Sequence, residues 1–221
     1  MSVEADFVER AKSVTSYLRS LKALERSHEL PGKGFYQARA AITASRAASF
    51  IMMYNCVEFG VRSVLENMRV EIEMCGCAFA DLRSYWREEI IRAHFHGRLS
   101  QGSNHVRLLH DVAAFVPGVV SWGAERDRIP FAGNVSNEEL FKLVRRIEHN
   151  WRPPPTTLGG ADIDLIRRMR NELAHGQETF ATVGANFQTD DLLEKYVRAR
   201  KFVVSLIRSL ERYRGRKLYL A

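Results

Sequence analysis

Apolar residues recur at helical spacing along most of the chain, and no stretch shows the sustained two-residue alternation of a strand. This pattern predicts an all-α protein. A first helix is expected from about Val3 to His28, before the turn residues Pro31 to Gly34. A second helix, long and largely apolar, is expected from about Gln37 to Glu73. Its length and apolar character place it at the centre of the predicted fold.

The rest of the chain is predicted as shorter helices and one loop. Apolar periodicity indicates four further helices, at about 79–94, 105–115, 136–148 and 190–213. Ser136 and Glu139 have capping-box spacing at the start of one of them. Prolines and glycines over 117–133 predict a loop-rich insertion. After Pro153 to Pro155, another helix is expected to start at Asp162 or Asp164 and to end at Gly176.

Length and charge narrow the class of protein. The chain has 221 residues and no internal linker rich in Gly, Ser or Pro, so one domain over 1–221 is expected. Lys and Arg number 33 against 26 Asp and Glu, a formal net charge of +7 that favours anionic partners, nucleic acid first. The N-terminus has no signal-peptide pattern and no long apolar run is present. A cytoplasmic protein without a membrane contact is therefore expected.

The three cysteines, Cys56, Cys75 and Cys77, suit a reducing compartment because they cannot build a paired disulfide framework. Cys75 and Cys77 suggest a metal site, but a closed zinc site needs four ligands and the nearest histidines do not complete a familiar spacing. Ordinary thiols are expected, with no metal site and no cofactor.

One segment carries chemistry that requires no metal. Arginine offers a permanently charged fork for phosphate oxygens, and histidine exchanges protons near neutral pH. The two occur with an amide near the end of a single predicted helix, in Arg170-Asn171-Glu172-Leu173-Ala174-His175-Gly176. The spacing alone is weak, since an arginine-rich chain matches it by chance. The setting beside a predicted C-cap glycine is what distinguishes this pair.

Helix geometry limits how these residues can act together. Asn171 and His175 share a helix face, whereas Arg170 and His175 are separated by about 140 degrees on an ideal helix. Three arrangements would bring them together: the arginine curls round, the last turn departs from ideal geometry, or a second copy completes the site. A simpler alternative is that His175 complements the helix dipole and Arg170 is a surface residue.

The segment resembles the HEPN superfamily, whose nuclease members carry an arginine, a polar residue and a histidine four to six positions after the arginine. Three further stretches are similar to a branch of stand-alone prokaryotic HEPN-like nucleases: Gln177 to Gly184, Ile51 to Glu58, and Gly133-Asn134-Val135. The resemblance spans the second helix to the last. It implies an up-and-down helical bundle, metal-independent RNA cleavage, a homodimer with facing motif helices, and a role in toxin–antitoxin or antiphage systems.

The resemblance also implies residue roles. Arg170 would hold the scissile phosphate, His175 would exchange a proton with the ribose 2′-hydroxyl or the leaving oxygen, and Asn171 would orient one of them. Attack by the 2′-hydroxyl would make RNA the substrate. Four residues of the second helix are candidates to line the site, with a buried polar cluster between two helices as the equal alternative: Tyr54, Asn55, Glu58 and Arg62.

The last helix carries nine basic and two acidic residues between Glu194 and Lys217. Its basic face is a candidate for RNA backbone contact, although a solvated charged face is an open alternative. The candidates for RNA binding are Arg167, Arg198, Lys201, Arg208 and Arg212. The first functional hypothesis is an endoribonuclease, with an antitoxin or defence protein as a further partner. The second is a HEPN module that binds nucleotide or RNA, or bridges partners, without cutting.

Overall fold

The computed structural model describes residues 2–27, 35–100, 120–122 and 134–221. Within these ranges the protein is all-α, as predicted, and β pairing is confined to one isolated bridge between Leu82 and Leu220. Two 3-10 turns, Phe79–Asp81 and Pro155–Gly160, lie between helices. The helices are α1 Val3–Ser27, α2 Phe35–Met74, α3 Ser84–Ser100, α4 Asn137–Arg146, α5 Ala161–Ala174, α6 Phe180–Ala185 and α7 Thr189–Gly215.

The predicted helices agree with the observed ones to within a few residues at most ends. Ser136 caps α4 as expected, because its hydroxyl accepts from the Glu139 N–H at 3.2 Å. The short helix α6 was not predicted, since its six residues are too few to show an apolar period. The helix expected at 105–115, the turn at 31–34 and almost all of the loop-rich insertion lie outside the described residues.

The chain divides into two compact units. The first comprises Met1–Val61, Gly133–Glu139 and Arg152–Arg208. The second comprises Arg62–Ala132, Leu140–Trp151 and Ser209–Ala221. Helices α2 and α7 each contribute residues to both units. The motif helix α5 lies wholly in the first.

The first unit is built where α1, α2 and α7 pack closely. A Cβ atom placed on Gly60 of α2 would lie 2.6 Å from the Phe7 ring of α1 and 2.9 Å from Val203 of α7. Phe7 and Val203 are fully buried. Only glycine permits such an approach of three helices at this position.

Helix α5 is held in the first unit by its buried face. Ile163, Ile166 and Leu173 are buried together with Asp162. Asp162 is 5 % exposed, and its carboxylate accepts from Arg198 of α7 at 2.6 and 3.2 Å, a bidentate pair that compensates its desolvation. The opposite face of α5 is thereby turned outward.

Helix α6 packs against the backbone of α2. Thr179 caps it, since its hydroxyl accepts from the Thr182 N–H at 3.0 Å. A Cβ atom on Gly184 would lie 1.8 Å from the Thr43 carbonyl oxygen. The segment that follows the motif helix is therefore fixed to α2 through a contact that only glycine allows.

The core of the second unit includes a buried ion pair. Arg69 and Glu89 are both buried and form an ion pair at 3.4 Å, with the Arg69 guanidinium 4.8 Å from the centre of the Trp122 ring. The Trp86 indole N–H donates to the Tyr213 hydroxyl at 3.1 Å. These contacts satisfy charges and polar atoms that burial would otherwise penalise.

Cys75 and Cys77 depart from the expectation of free thiols. The structure joins them as a disulfide at the end of α2, and Cys56 is a buried free thiol. Gly76, with φ of 62°, reverses the chain between them and brings their Cα atoms to 5.4 Å. The expectation of free thiols was wrong because it rested on the number of cysteines, which does not reveal this local turn.

Within the described ranges, no helix is long and apolar enough to cross a membrane.

Replacing Gly184 by Ala should destabilise the protein by about 2–3 kcal/mol, because the added methyl group must displace the Thr43 backbone. The melting temperature measured by circular dichroism should fall by roughly 4–10 °C. Gly215→Ala is the matched control, since nothing lies within 4 Å of its Cβ position. Equal melting temperatures for both variants would contradict the close contact of α6 with α2.

Candidate functional site

The Arg170 side chain lies on the outward face of α5 and is held by two contacts. Its guanidinium carbon is 4.6 Å from the centre of the Tyr54 ring, a cation–π arrangement. Its Nη1 donates to the Asn171 side-chain oxygen at 2.9 Å. A residue of α5 and one of α2 thus fix the direction of the guanidinium.

Asn134 joins this arrangement from a third segment. Its side-chain oxygen accepts from Asn171 Nδ2 at 3.4 Å and from Arg167 Nη1 at 3.0 Å. The four side chains form one hydrogen-bonded series from Arg170 through Asn171 and Asn134 to Arg167. Both arginines are hydrogen-bonded to neutral amides in this series.

Tyr54 of α2 supports the Arg170 end of this series. Its side chain is fully buried, and its hydroxyl oxygen accepts from the Val135 N–H at 3.1 Å. Burial raises the pKa of the Tyr54 phenol above its ordinary value, although the Val135 hydrogen bond and the Arg170 and Arg167 charges act in the opposite direction. The phenol is therefore neutral under physiological conditions and serves as a fixed support.

The segment around Asn134 is fixed at several points. The Asn137 N–H donates to the Asp164 carboxylate at 3.0 Å, and its side-chain amide donates to the Gly159 carbonyl at 3.3 Å. The start of α4 is thereby tied to the start of α5. With the bond from Val135 to Tyr54, these contacts leave the segment little freedom to move.

His175 ends the motif helix. Gly176 adopts φ of 65°, its N–H donates to the Leu173 carbonyl at 3.3 Å, and Gln177 N–H donates to the Glu172 carbonyl at 2.9 Å. These bonds form a Schellman motif with His175 as C-cap. The His175 side chain is exposed and available to a ligand.

Arg170 and His175 are placed in different ways. The Arg170 guanidinium donates to Asn171, its neighbour in sequence, and His175 is the C-cap of the helix, where φ is −93° and ψ is 2°. No hydrogen bond joins the His175 ring to another side chain in the described parts of the molecule.

The other candidates from α2 are placed differently. Glu58 is half-buried and close enough to act electrostatically on the Tyr54 phenol. Asn55 and Arg62 are exposed, and Arg62 belongs to the second unit. Of the four, only Tyr54 contacts the arginine of the motif.

The basic face of α7 is partly neutralised. Arg198 pairs with Asp162 and with Glu194, and Arg208 pairs with Glu4 at 2.6 and 2.9 Å. Lys201 and Arg212 are exposed. Arg198 thus anchors α5 to α7, a role that the basic run in the sequence does not indicate.

Among the described residues, no group of three or more His, Cys, Asp or Glu side chains is arranged to hold a metal ion. The donors that the site offers are guanidinium, amide and imidazole groups. Such a set can bind an anion and move a proton.

Comparison of the chain with protein-family models, with curated proteins and with solved structures finds no match.

Sequence reasoning did not include Asn134 among the site residues. The signal was its place in Gly133-Asn134-Val135, one of the stretches that carry the HEPN resemblance. No local spacing links it to Asn171, which lies 37 positions away. Only the folded chain brings the two amides together.

Tyr54→Phe should keep the ring beneath Arg170 and lower the free energy of unfolding by about 1–3 kcal/mol, because the buried Val135 N–H loses its acceptor. Burial raises the pKa of the Tyr54 phenol, so wild-type stability falls as the pH rises above about 10, whereas the variant has no phenol to ionise. The difference in free energy of unfolding between the two proteins should therefore become smaller above that pH. Urea unfolding at several pH values measures it.

Tyr36→Phe is the control for this variant, because Tyr36 is 84 % exposed. Its stability should stay within about 0.5 kcal/mol of wild type. A difference for Tyr54→Phe that is independent of pH up to 11 would contradict the assignment of a buried, neutral phenol.

Proposed function

We propose that this protein is a metal-independent endoribonuclease of the HEPN type. The observation that carries the proposal is the Arg170 guanidinium, stacked on Tyr54 and hydrogen-bonded to Asn171, on the helix that His175 caps. A preorganised cation and an exposed titrating group on one helix are what phosphodiester cleavage without metal requires.

Arg170 binds the scissile phosphate in this proposal. One of its five N–H donors is used by Asn171, and the remaining donors can face a phosphate with two parallel hydrogen bonds. Its charge also stabilises the negative charge that grows on the phosphorane oxygens in the transition state. Because Tyr54 and Asn171 hold the guanidinium in advance, little reorganisation is needed when the substrate binds.

His175 moves the proton. The ribose 2′-oxygen attacks phosphorus and the bond to the 5′-oxygen breaks, which leaves a 2′,3′-cyclic phosphate and a 5′-hydroxyl. The imidazole takes the proton from the 2′-hydroxyl as general base or gives one to the 5′-oxygen as general acid. Asn171 orients the phosphate or the histidine.

The alternative function is a HEPN module that binds nucleotide or RNA, or bridges partners, without cutting. The series of neutral amides around two arginines would serve anion binding equally well. A titrating histidine at the end of the same helix favours cleavage, because binding alone does not need one.

The proposed RNA backbone contacts on α7 are Lys201 and Arg212, because both side chains are exposed. Arg198 and Arg208 are weaker candidates, because their charges are paired with carboxylates.

The HEPN resemblance suggests a cytoplasmic toxin–antitoxin or antiphage role, with an antitoxin or defence protein as partner. Cleavage of RNA by the purified protein is the first test of all these statements.

Arg170→Ala and His175→Ala should each reduce cleavage of a single-stranded RNA by at least about 100-fold, since each removes a group that acts in the transition state. Melting temperatures should change little, because neither side chain is buried. Product analysis should show cyclic phosphate ends.

Arg168→Ala is the control, because Arg168 is an exposed arginine of the same helix outside the hydrogen-bonded series. It should retain cleavage. The same assay with EDTA should give the wild-type rate, and a requirement for divalent metal would point to another mechanism. Full activity of His175→Ala would refute the enzyme assignment.

A homodimer with facing motif helices is the further prediction of this proposal, because each helix separates Arg170 from His175 by about 140 degrees. The mass in dilute solution should be twice 25.3 kDa. Mixing Arg170→Ala with His175→Ala under conditions that exchange subunits should restore part of the activity, since one heterodimer site would have both groups. A monomer that cleaves RNA would refute a shared site.

A further inference from the structure

The Asn134 side chain connects two arms of the candidate site. Its single oxygen accepts from Arg167 Nη1 at 3.0 Å and from Asn171 Nδ2 at 3.4 Å. Arg167 and Arg170 lie three positions apart on α5, so their side chains leave neighbouring turns of the same face. Asn134 therefore sets where the Arg167 guanidinium lies relative to that of Arg170.

The two arginines of this face differ from those of α7 in their partners. Arg167 and Arg170 are hydrogen-bonded to neutral amide oxygens, whereas Arg198 and Arg208 are bonded to carboxylates. An amide oxygen fixes a guanidinium without neutralising its charge. The face therefore presents two oriented positive charges.

Arg167 is also incompletely satisfied by the protein. Its Nε–H is buried and has no hydrogen-bond partner among the described residues. A buried donor without a partner is costly and calls for an explanation, which a ligand-binding role of the Arg167 side chain would supply. Both guanidinium charges also act on the Tyr54 phenol, which shows that both lie near this support.

We propose that Asn134 is a positioning residue that holds Arg167 as a second phosphate-binding group beside Arg170, so that the site binds the scissile phosphate and the next phosphate of the same strand. This inference rests on the proposed function. Asn134 can fulfil this role because Val135 is bonded to Tyr54 and Asn137 to Asp164, which fixes the backbone on the C-terminal side of the amide. The substrate is then a strand with at least two consecutive phosphates.

The experiment compares trinucleotides that differ only in charge. Trinucleotides of 2′-O-methyl RNA cannot be cleaved by 2′-hydroxyl attack, and each of their two linkages can be replaced in turn by a neutral methylphosphonate. Wild-type protein should bind the fully charged trinucleotide about ten-fold more tightly than the tighter of the two substituted ones. The slope of log K against log salt should be steeper by about 0.7.

The variants assign this gain to residues. Arg167→Gln keeps a long polar side chain without the charge and should lose the ten-fold gain and the added slope. Asn134→Ala should lose most of the gain while keeping every charge. Arg168→Ala, the matched control, should retain both. In the double variant Asn134→Ala with Arg167→Gln, the gain in affinity should be the same as in Arg167→Gln alone, because Asn134 acts through Arg167.

Other outcomes separate the inference from the proposed function. If the gain in affinity persists in Arg167→Gln, or if the wild-type protein shows no gain, Arg167 is not a second phosphate-binding group. An Asn134→Ala protein that keeps the gain, or a double variant that loses more than Arg167→Gln, refutes the positioning role. If the two-phosphate gain behaves as expected and unmodified RNA is not cleaved, the enzyme assignment fails and the phosphate site stands.

Discussion

Burial of the Tyr54 side chain is the constraint from which the candidate site is built. The ring is fully buried in α2 and lies under the Arg170 guanidinium, while its oxygen accepts from the Val135 N–H. One residue thus fixes both the Arg170 guanidinium and the segment that carries Asn134. Because the phenol is neutral, it supports the guanidinium without cancelling its charge.

Arginines that pair with carboxylates have a structural role here, whereas arginines that are hydrogen-bonded to amides keep a charge that is available to a ligand. Arg198 forms an ion pair with buried Asp162 and so anchors α5 to α7. Arg167 and Arg170 have amide partners on the opposite, outward face of α5. A helix anchored by an ion pair on one face and charged on the other is rigid and can still attract a phosphate, which is what a preorganised anion site requires.

The ends of α5 show how local chemistry places the groups. Gly160, with φ of 90°, lets the start of the helix approach Phe202 and Asn137, and Gly176 ends it in a Schellman motif. His175 therefore occupies a defined backbone position and exposes its ring. The predicted helix end at Gly176 is confirmed because it depends on residues in immediate sequence.

The amino-acid sequence by itself determined the all-α class, the bounds of the long helices, the Ser136 cap and the end of the motif helix, since each depends on periodicity or on residues within a few positions. Tertiary structure alone decided that Tyr54 and Asn134 meet Arg170 and Asn171, and that Arg198 is an anchor. These contacts join segments that are tens of residues apart, and no local preference encodes them. They form only when burial of apolar faces brings the helices together.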